Sequence, residues 1–133
     1  EARILLDELQ PDQVCDPAAL MFYQAVTYHR LLEKDKCLAT LQQLLENEGA
    51  APQRYVKLAR LMQADLKPLE PDSLDEVSRL MESIKVRLGH GRAGKRVRKE
   101  EDDVIAKLDK MIEQLEQQAN SAAAAASAPP APA

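Results

Sequence analysis

Apolar residues recur at three- and four-residue steps along most of the chain, the period of helices with one buried face. Residues Ala2 to Gln10 place Ile4, Leu5, Leu6 and Leu9 on one helical face before Pro11 ends the run. Asp16 followed by Pro17 is a helix start, a capping carboxylate ahead of a ring preset to helical φ. From Pro17 to Glu33 the stripe is Leu20, Met21, Ala25, Tyr28, Leu31 and Leu32. After a tight Lys34-Asp35 link, Lys36 to Glu46 carries Cys37, Leu38, Leu41, Leu44 and Leu45, and Gly49 breaks the pattern. Pro52 opens a further helix to Ala64 with Tyr55, Val56, Leu58, Ala59, Leu61 and Met62 as buried candidates. Pro68 and Pro71 mark a loop, and Asp72 or Ser73 caps the next helix. That helix repeats Leu74, Val77, Leu80, Met81, Ile84 and Leu88 until Gly89, Gly91 and Gly94 interrupt it.

A last helix is predicted from Lys95 to Ala119. Val97, Val104, Leu108, Met111 and Leu115 alternate at four and three residues, flanked by Ile105 and Ile112, and only Glu101 breaks the seam. This amounts to about three heptads, which two readings fit: a coiled-coil arm, or a helix packed on its own domain. Ser121 to Ala133 is only Ser, Ala and Pro, a linker composition that buries too little to order itself. A linker with nothing after it, and a start at Glu1 already in helical register, suggest an excised or processed fragment.

The first paired helices resemble a tetratricopeptide repeat, an antiparallel hairpin of about 34 residues with small side chains where the helices touch. Ala25 and Cys37 occupy those small positions, Tyr28 stands at the repeat's usual tyrosine, and Leu41 and Leu44 follow at packing positions. One repeat length on, Ala59 echoes Ala25, while Met62 and Tyr55 echo Tyr28 and Met21. The loop Asp65 to Asp72 is too long for the pattern, and the repeat's Trp, Gly and closing Pro are missing, so the match is degenerate. A plain helical hairpin fits as well. Either way, one or two such units leave apolar sides that something must cover.

Composition narrows the chemistry. With one Phe, three Tyr and no Trp, the core is aliphatic and a base-stacking platform is not expected. Cys15 and Cys37 match no zinc spacing; they read as two semi-buried thiols or as a single disulfide. No apolar run is long enough to cross a membrane. The net charge of −4 conceals a basic patch: seven Lys or Arg and no acid lie between Lys85 and Lys99, leaving eleven basic against all 22 acidic residues elsewhere.

Inside that patch, Gly89-His90-Gly91-Arg92-Ala93-Gly94-Lys95-Arg96 spells both GxxxxGK and GxGxxG. Phosphate loops need a preceding strand, amides facing the phosphates, and a Ser or Thr for magnesium. Here a helix precedes the motif and Arg96 replaces the hydroxyl, so the glycines read as a connector and nucleotide binding at 89–96 is the remote alternative. Arg92, Lys95, Arg96, Arg98 and Lys99 are the candidate partner-binding residues. Three fates suit them: local pairing with Glu100 to Asp103 (Arg98 stands one turn before Asp102), an acidic protein, or a nucleic acid or anionic membrane surface. His29 and His90 have no neighbour that forms a nucleophile dyad, and the acid clusters sit at helix starts, where the dipole favours them.

The stretch from Gly91 to Ile105, continued by Leu108 to Glu113, together with the hairpin Ala25 to Leu45, resembles a family of uncharacterised proteins from planctomycete-type bacteria. The resemblance runs from Pro17 to Gln118. It implies an envelope or exported protein with a low-complexity linker after its last helix, and it supplies no activity, cofactor or catalytic residue.

The expected fold is all-α: antiparallel, degenerate tetratricopeptide-like hairpins over 1–88, a basic glycine-rich connector at 89–95, a long helix at 96–119 and a disordered linker at 120–133. The expected role is a non-catalytic protein-interaction or scaffold module with no cofactor, metal or small-molecule substrate. A homodimer through 97–115 is one form of it, and anionic-polymer or membrane-surface binding through 85–99 is the alternative.

Overall fold

The computed structural model describes residues 2–126, and all their regular structure is helical. Helix α1 spans Ala2–Asp7, a 3-10 turn Pro11–Gln13, α2 Pro17–Arg30, α3 Lys34–Glu46, α4 Gln53–Leu66, α5 Leu74–Gly89 and α6 Lys95–Ala126. The chain divides into two compact units at the junction of Glu70 and Pro71. The expected boundary at 88 is therefore displaced: α5 belongs with α6 and not with the hairpins before it.

In the first unit, α2, α3 and α4 enclose an aliphatic core with one aromatic pair. Ala25, Cys37 and Ala59, the three positions expected to be small, are all fully buried, as are Leu41 and Leu66. Their size lets the backbones approach: Cys37 Sγ donates to the carbonyl of Ala25 at 3.3 Å, a contact a larger pair would prevent. Phe22 stacks on Tyr55 with ring centroids 4.4 Å apart, and the rim residue Tyr23 meets Phe22 edge-on. Burial pushes the Cys37 thiol up to about 11, so it packs as a small hydrophobe. Cys15 is exposed and both cysteines are free, which removes the disulfide alternative.

The link between α2 and α3 lies three residues earlier than the periodicity placed it. Leu32 adopts φ 58°, and the amides of Leu32 and Glu33 donate to the carbonyls of His29 and Tyr28. This paired bonding caps a helix through a left-handed residue, normally glycine. Leucine accepts the strain because its side chain packs against the core. Lys34 then donates to the carbonyls of Lys67 and Leu69, just past the end of α4, and fastens the loop that buries Leu69.

Helix α1 is held to α2 by polar contacts more than by its apolar face. Gln24 donates to the carbonyl of Leu6 at 2.8 Å, and the Tyr28 hydroxyl donates to Asp7. Burial, then that bond, raises Tyr28 to about 12. Only Leu6 of the expected face is half-buried, while Ile4, Leu5 and Leu9 stay exposed. At the other end of the chain, α6 continues through 120–126, where a linker was expected; residues 127–133 of that expectation lie outside the described residues.

Ala25→Leu is expected to destabilise the chain by about 1–3 kcal/mol, because the extra methylenes must displace Cys37 or the α3 backbone. Leu61→Ala, at a position 65% exposed, is expected to stay within about 0.5 kcal/mol. Urea denaturation followed by circular dichroism measures both, and equal losses at the two sites count against this packing.

Candidate functional site: the basic glycine turn and the hairpin it closes

The second unit is an antiparallel hairpin of α5 and α6. Val77 and Ile84 of α5 meet Val97 and Val104 of α6, with Leu80, Leu108 and Met111 half-buried around them. Of the two readings of the heptad seam, the structure shows the intramolecular one for these α6 residues. Leu115 extends the seam but is 64% exposed.

The glycine turn is two helix caps back to back. Gly89 is the last residue of α5, and Gly91 takes φ 68°. The amides of Gly91 and Arg92 donate to the carbonyls of Leu88 and Arg87, the same paired cap seen after α2. Gly94 opens α6, its carbonyl accepting from the amides of Val97 and Arg98. Two amides that a phosphate cradle would aim at its ligand are thus spent on α5, and a helix stands where the motif needs a strand. The connector is His90 to Gly94, shorter at both ends than expected.

The hairpin's cross-helix ion pairs lie along one flank. At the turn end, Glu100 accepts from Arg87, and from Arg96 at 3.1 Å. At the far end, Lys107 bridges Asp72 at 2.8 Å and Glu76 at 2.7 Å, and Lys110 also reaches Asp72. The two lysines hold the Asp72 carboxyl down to about 2, through hydrogen bonds first and charge second. Lys107 is raised for the reciprocal reason. Asp72 sits at φ 57°, and its amide donates to Glu76 at 2.7 Å.

The five candidate basic residues separate into two groups. Arg96 is neutralised locally by Glu100. The side chains of Arg92, Lys95, Arg98 and Lys99 are exposed and make no ion pair with the described residues, and the expected pairing of Arg98 with Asp102 is not formed. Sequence reasoning missed the Asp72–Glu76–Lys107–Lys110 cluster because its members stand 31 to 38 positions apart. The available signal was the spacing itself: Lys107 and Lys110 share a helical face, and Asp72 stands four residues before Glu76 at the start of α5. Among the described residues no group of His, Cys, Asp and Glu is arranged to hold a metal ion.

Leu74, Met81 and Leu88 on α5 and Ile105 and Ile112 on α6 are exposed. The first three share the helical spacing of the buried Val77 and Ile84. They fall at steps of seven, on the side of α5 away from Glu76 and Arg87.

No protein-family model matches the chain, and no curated protein or solved structure matches it either.

Gly91→Ala is expected to cost about 1 kcal/mol, because its φ is positive even though its added methyl would meet nothing within 4 Å. Gly89→Ala, helical and equally open, is expected to stabilise by about 0.5–1 kcal/mol. Thermal melts that move in the same direction for both variants would contradict the cap assignment.

The depressed Asp72 carboxyl contributes stability above its unfolded pKa of 3.8, and this is lost as pH falls towards about 2. Asp72→Asn, which tolerates the left-handed backbone, should flatten the part of the acid-denaturation curve between pH 4 and 2. An unchanged curve would remove the cluster from the acid response.

Proposed function

We propose that the chain is a non-catalytic protein-interaction module whose binding surface is the second unit's hairpin. The observation that carries this reading is apolar: α5 and α6 each present a second stripe at helical spacing, with Leu74 71% and Ile105 58% exposed. Contiguous apolar faces rimmed by charge mark sites where proteins meet, and stripes at steps of three, four and seven are the form in which helices read one another. The buried small residues of α2, α3 and α4 support a tetratricopeptide-like hairpin as the first unit. Kinship with the planctomycete-type bacterial proteins, and the envelope placement it implies, belong to the same proposal.

A second reading rests on a separate observation, the four exposed basic side chains Arg92, Lys95, Arg98 and Lys99, which make no ion pair with the described residues. Clustered in the turn and the first residues of α6, they suit an anionic polymer or membrane surface.

Site-specific photo-crosslinking in cells tests the first reading. A photoreactive residue at Ile112 should yield discrete protein adducts, while one at Gln114, on the opposite flank of α6, should not. Absent adducts, or equal ones from both sites, would end it. Duplex DNA tests the second: four neutralised phosphates predict log K falling against log salt with a slope of about −3.6. That binding should vanish when the four residues become Ala. No measurable binding at low salt, or a slope near zero, would end the anionic reading.

A further inference from the structure

The apolar sides of α5 and α6 face the same way. At about 100° per residue, Glu76 and Arg87 lie to one side of the Val77–Ile84 contact line on α5, and Leu74, Met81 and Leu88 lie to the other. On α6 the same rotation separates Glu100 and Lys107 from Ile105 and Ile112 across the Val97–Val104 line. The ion pairs Arg87–Glu100 and Glu76–Lys107 place the two charged sides together. Because the helices are antiparallel, the two apolar sides then also coincide, and the hairpin has one ion-paired flank and one apolar flank.

We propose that this apolar flank is a homodimer interface, on which a second copy of the hairpin packs antiparallel about a two-fold axis through Met81 to complete a four-helix bundle. The inference rests on the interaction-module reading and names its partner.

Three features of the face favour a copy of itself. The α5 stripe is symmetric in sequence: Leu74 and Leu88 each stand seven residues from Met81. An antiparallel copy therefore sets Leu74 against Leu88 of the second copy and Met81 against Met81, the self-complementarity that a two-fold interface demands. The charges agree as well. The pairs Arg87–Glu100 and Lys107–Glu76 put residue 103 or 104 of α6 level with Met81. The same axis then brings Arg98 level with Asp109 of the second copy. Both residues border the apolar stripe, both are exposed, and neither makes an ion pair with the described residues.

The area is sufficient. Leu74, Met81, Leu88, Ile105 and Ile112 are between 45% and 71% exposed. Together they offer roughly 520 Å² per copy, so a pair would bury about 1,000 Å², the area at which specific interfaces begin. The hairpin alone buries four side chains, Val77, Ile84, Val97 and Val104. A pair of hairpins doubles the layers of that core in the way four-helix bundles do. This dimer differs from one zipped along Val97, Val104 and Met111, because α5 already occupies that seam.

Sedimentation equilibrium of the full chain, across a concentration series, is the test. The expected species has twice the 14.8 kDa chain mass. Met81→Glu should raise the dissociation constant by at least about a hundredfold, since it buries two unpaired carboxylates at the centre of the interface, while leaving the helical circular dichroism unchanged. Glu101→Leu, which removes the acid nearest the middle of the face, should tighten the dimer. Arg98→Asp should weaken it, and Arg98→Asp with Asp109→Arg should restore it. In a Cys15→Ser background, Met81→Cys should form a symmetric disulfide-linked dimer on mild oxidation.

A chain that remains monomeric at high micromolar concentration overturns the proposal. So does a dimer indifferent to both Met81→Glu and the charge exchange. In either case, photo-adducts to a different protein at Ile112 would leave the interaction reading standing, and a lack of all adducts would remove both.

Discussion

An amphipathic helix is stable in water only if its apolar stripe is covered, and the number of neighbours decides how much of the stripe that can be. This constraint organises the whole chain. In the first unit three helices surround one another, so the stripes of α2, α3 and α4 close on a shared interior, and Ala25, Cys37 and Ala59 are fully buried. In the second unit the described residues form only two helices. Each covers one side of the other, and each carries a stripe wider than a single neighbour can reach. The surplus apolar surface is a direct consequence of that arithmetic of neighbours, and the interaction proposals follow from it.

The charged groups complement this division. Along the covered line between α5 and α6, Arg87, Glu100, Glu76, Lys107 and Asp72 make cross-helix pairs. These occupy the flank opposite the exposed stripe. Partly exposed pairs of this kind contribute little to stability individually. Their effect is directional: they fix which flank stays hydrated, and so which flank remains for Leu74, Met81 and Ile105. Arg92, Lys95, Arg98 and Lys99, in and just after the turn, make no ion pair with the described residues, which is why they carry a separate reading.

Much of this was legible in the sequence because it is local. Asp16 and Pro17 begin α2, and Asp16 accepts the Ala19 amide at 3.0 Å, as their order implies. The small residues at 25, 37 and 59 announced the tightest packing, and the interruption of GxGxxG by helical residues on both sides announced a connector. What could not be read was which helix each stripe would meet. Leu74, Val77, Met81, Ile84 and Leu88 form one uninterrupted heptad pattern, yet only Val77 and Ile84 are buried. Periodicity reports a face and is silent on the width of its neighbour. The same limit assigned α5 to the preceding hairpins and hid the lysine–carboxylate cluster, whose members the fold brings together from distant positions. The end of α2 escaped for a different reason: Leu32 takes a backbone conformation that the residue type disfavours, and only its packing in the core accounts for it.

The turn between α5 and α6 also acts as a keyway. Its two caps fix the number of residues from Gly89 to Lys95, and through that count the rotation of α6 about its own axis. One added residue would turn α6 by about 100°, close to the angle that separates the Val104 line from the line of Ile105 and Ile112. The helix thus carries two interchangeable apolar edges, and a five-residue hinge, not the composition of either edge, selects which one is locked inside and which one is shown to the solvent.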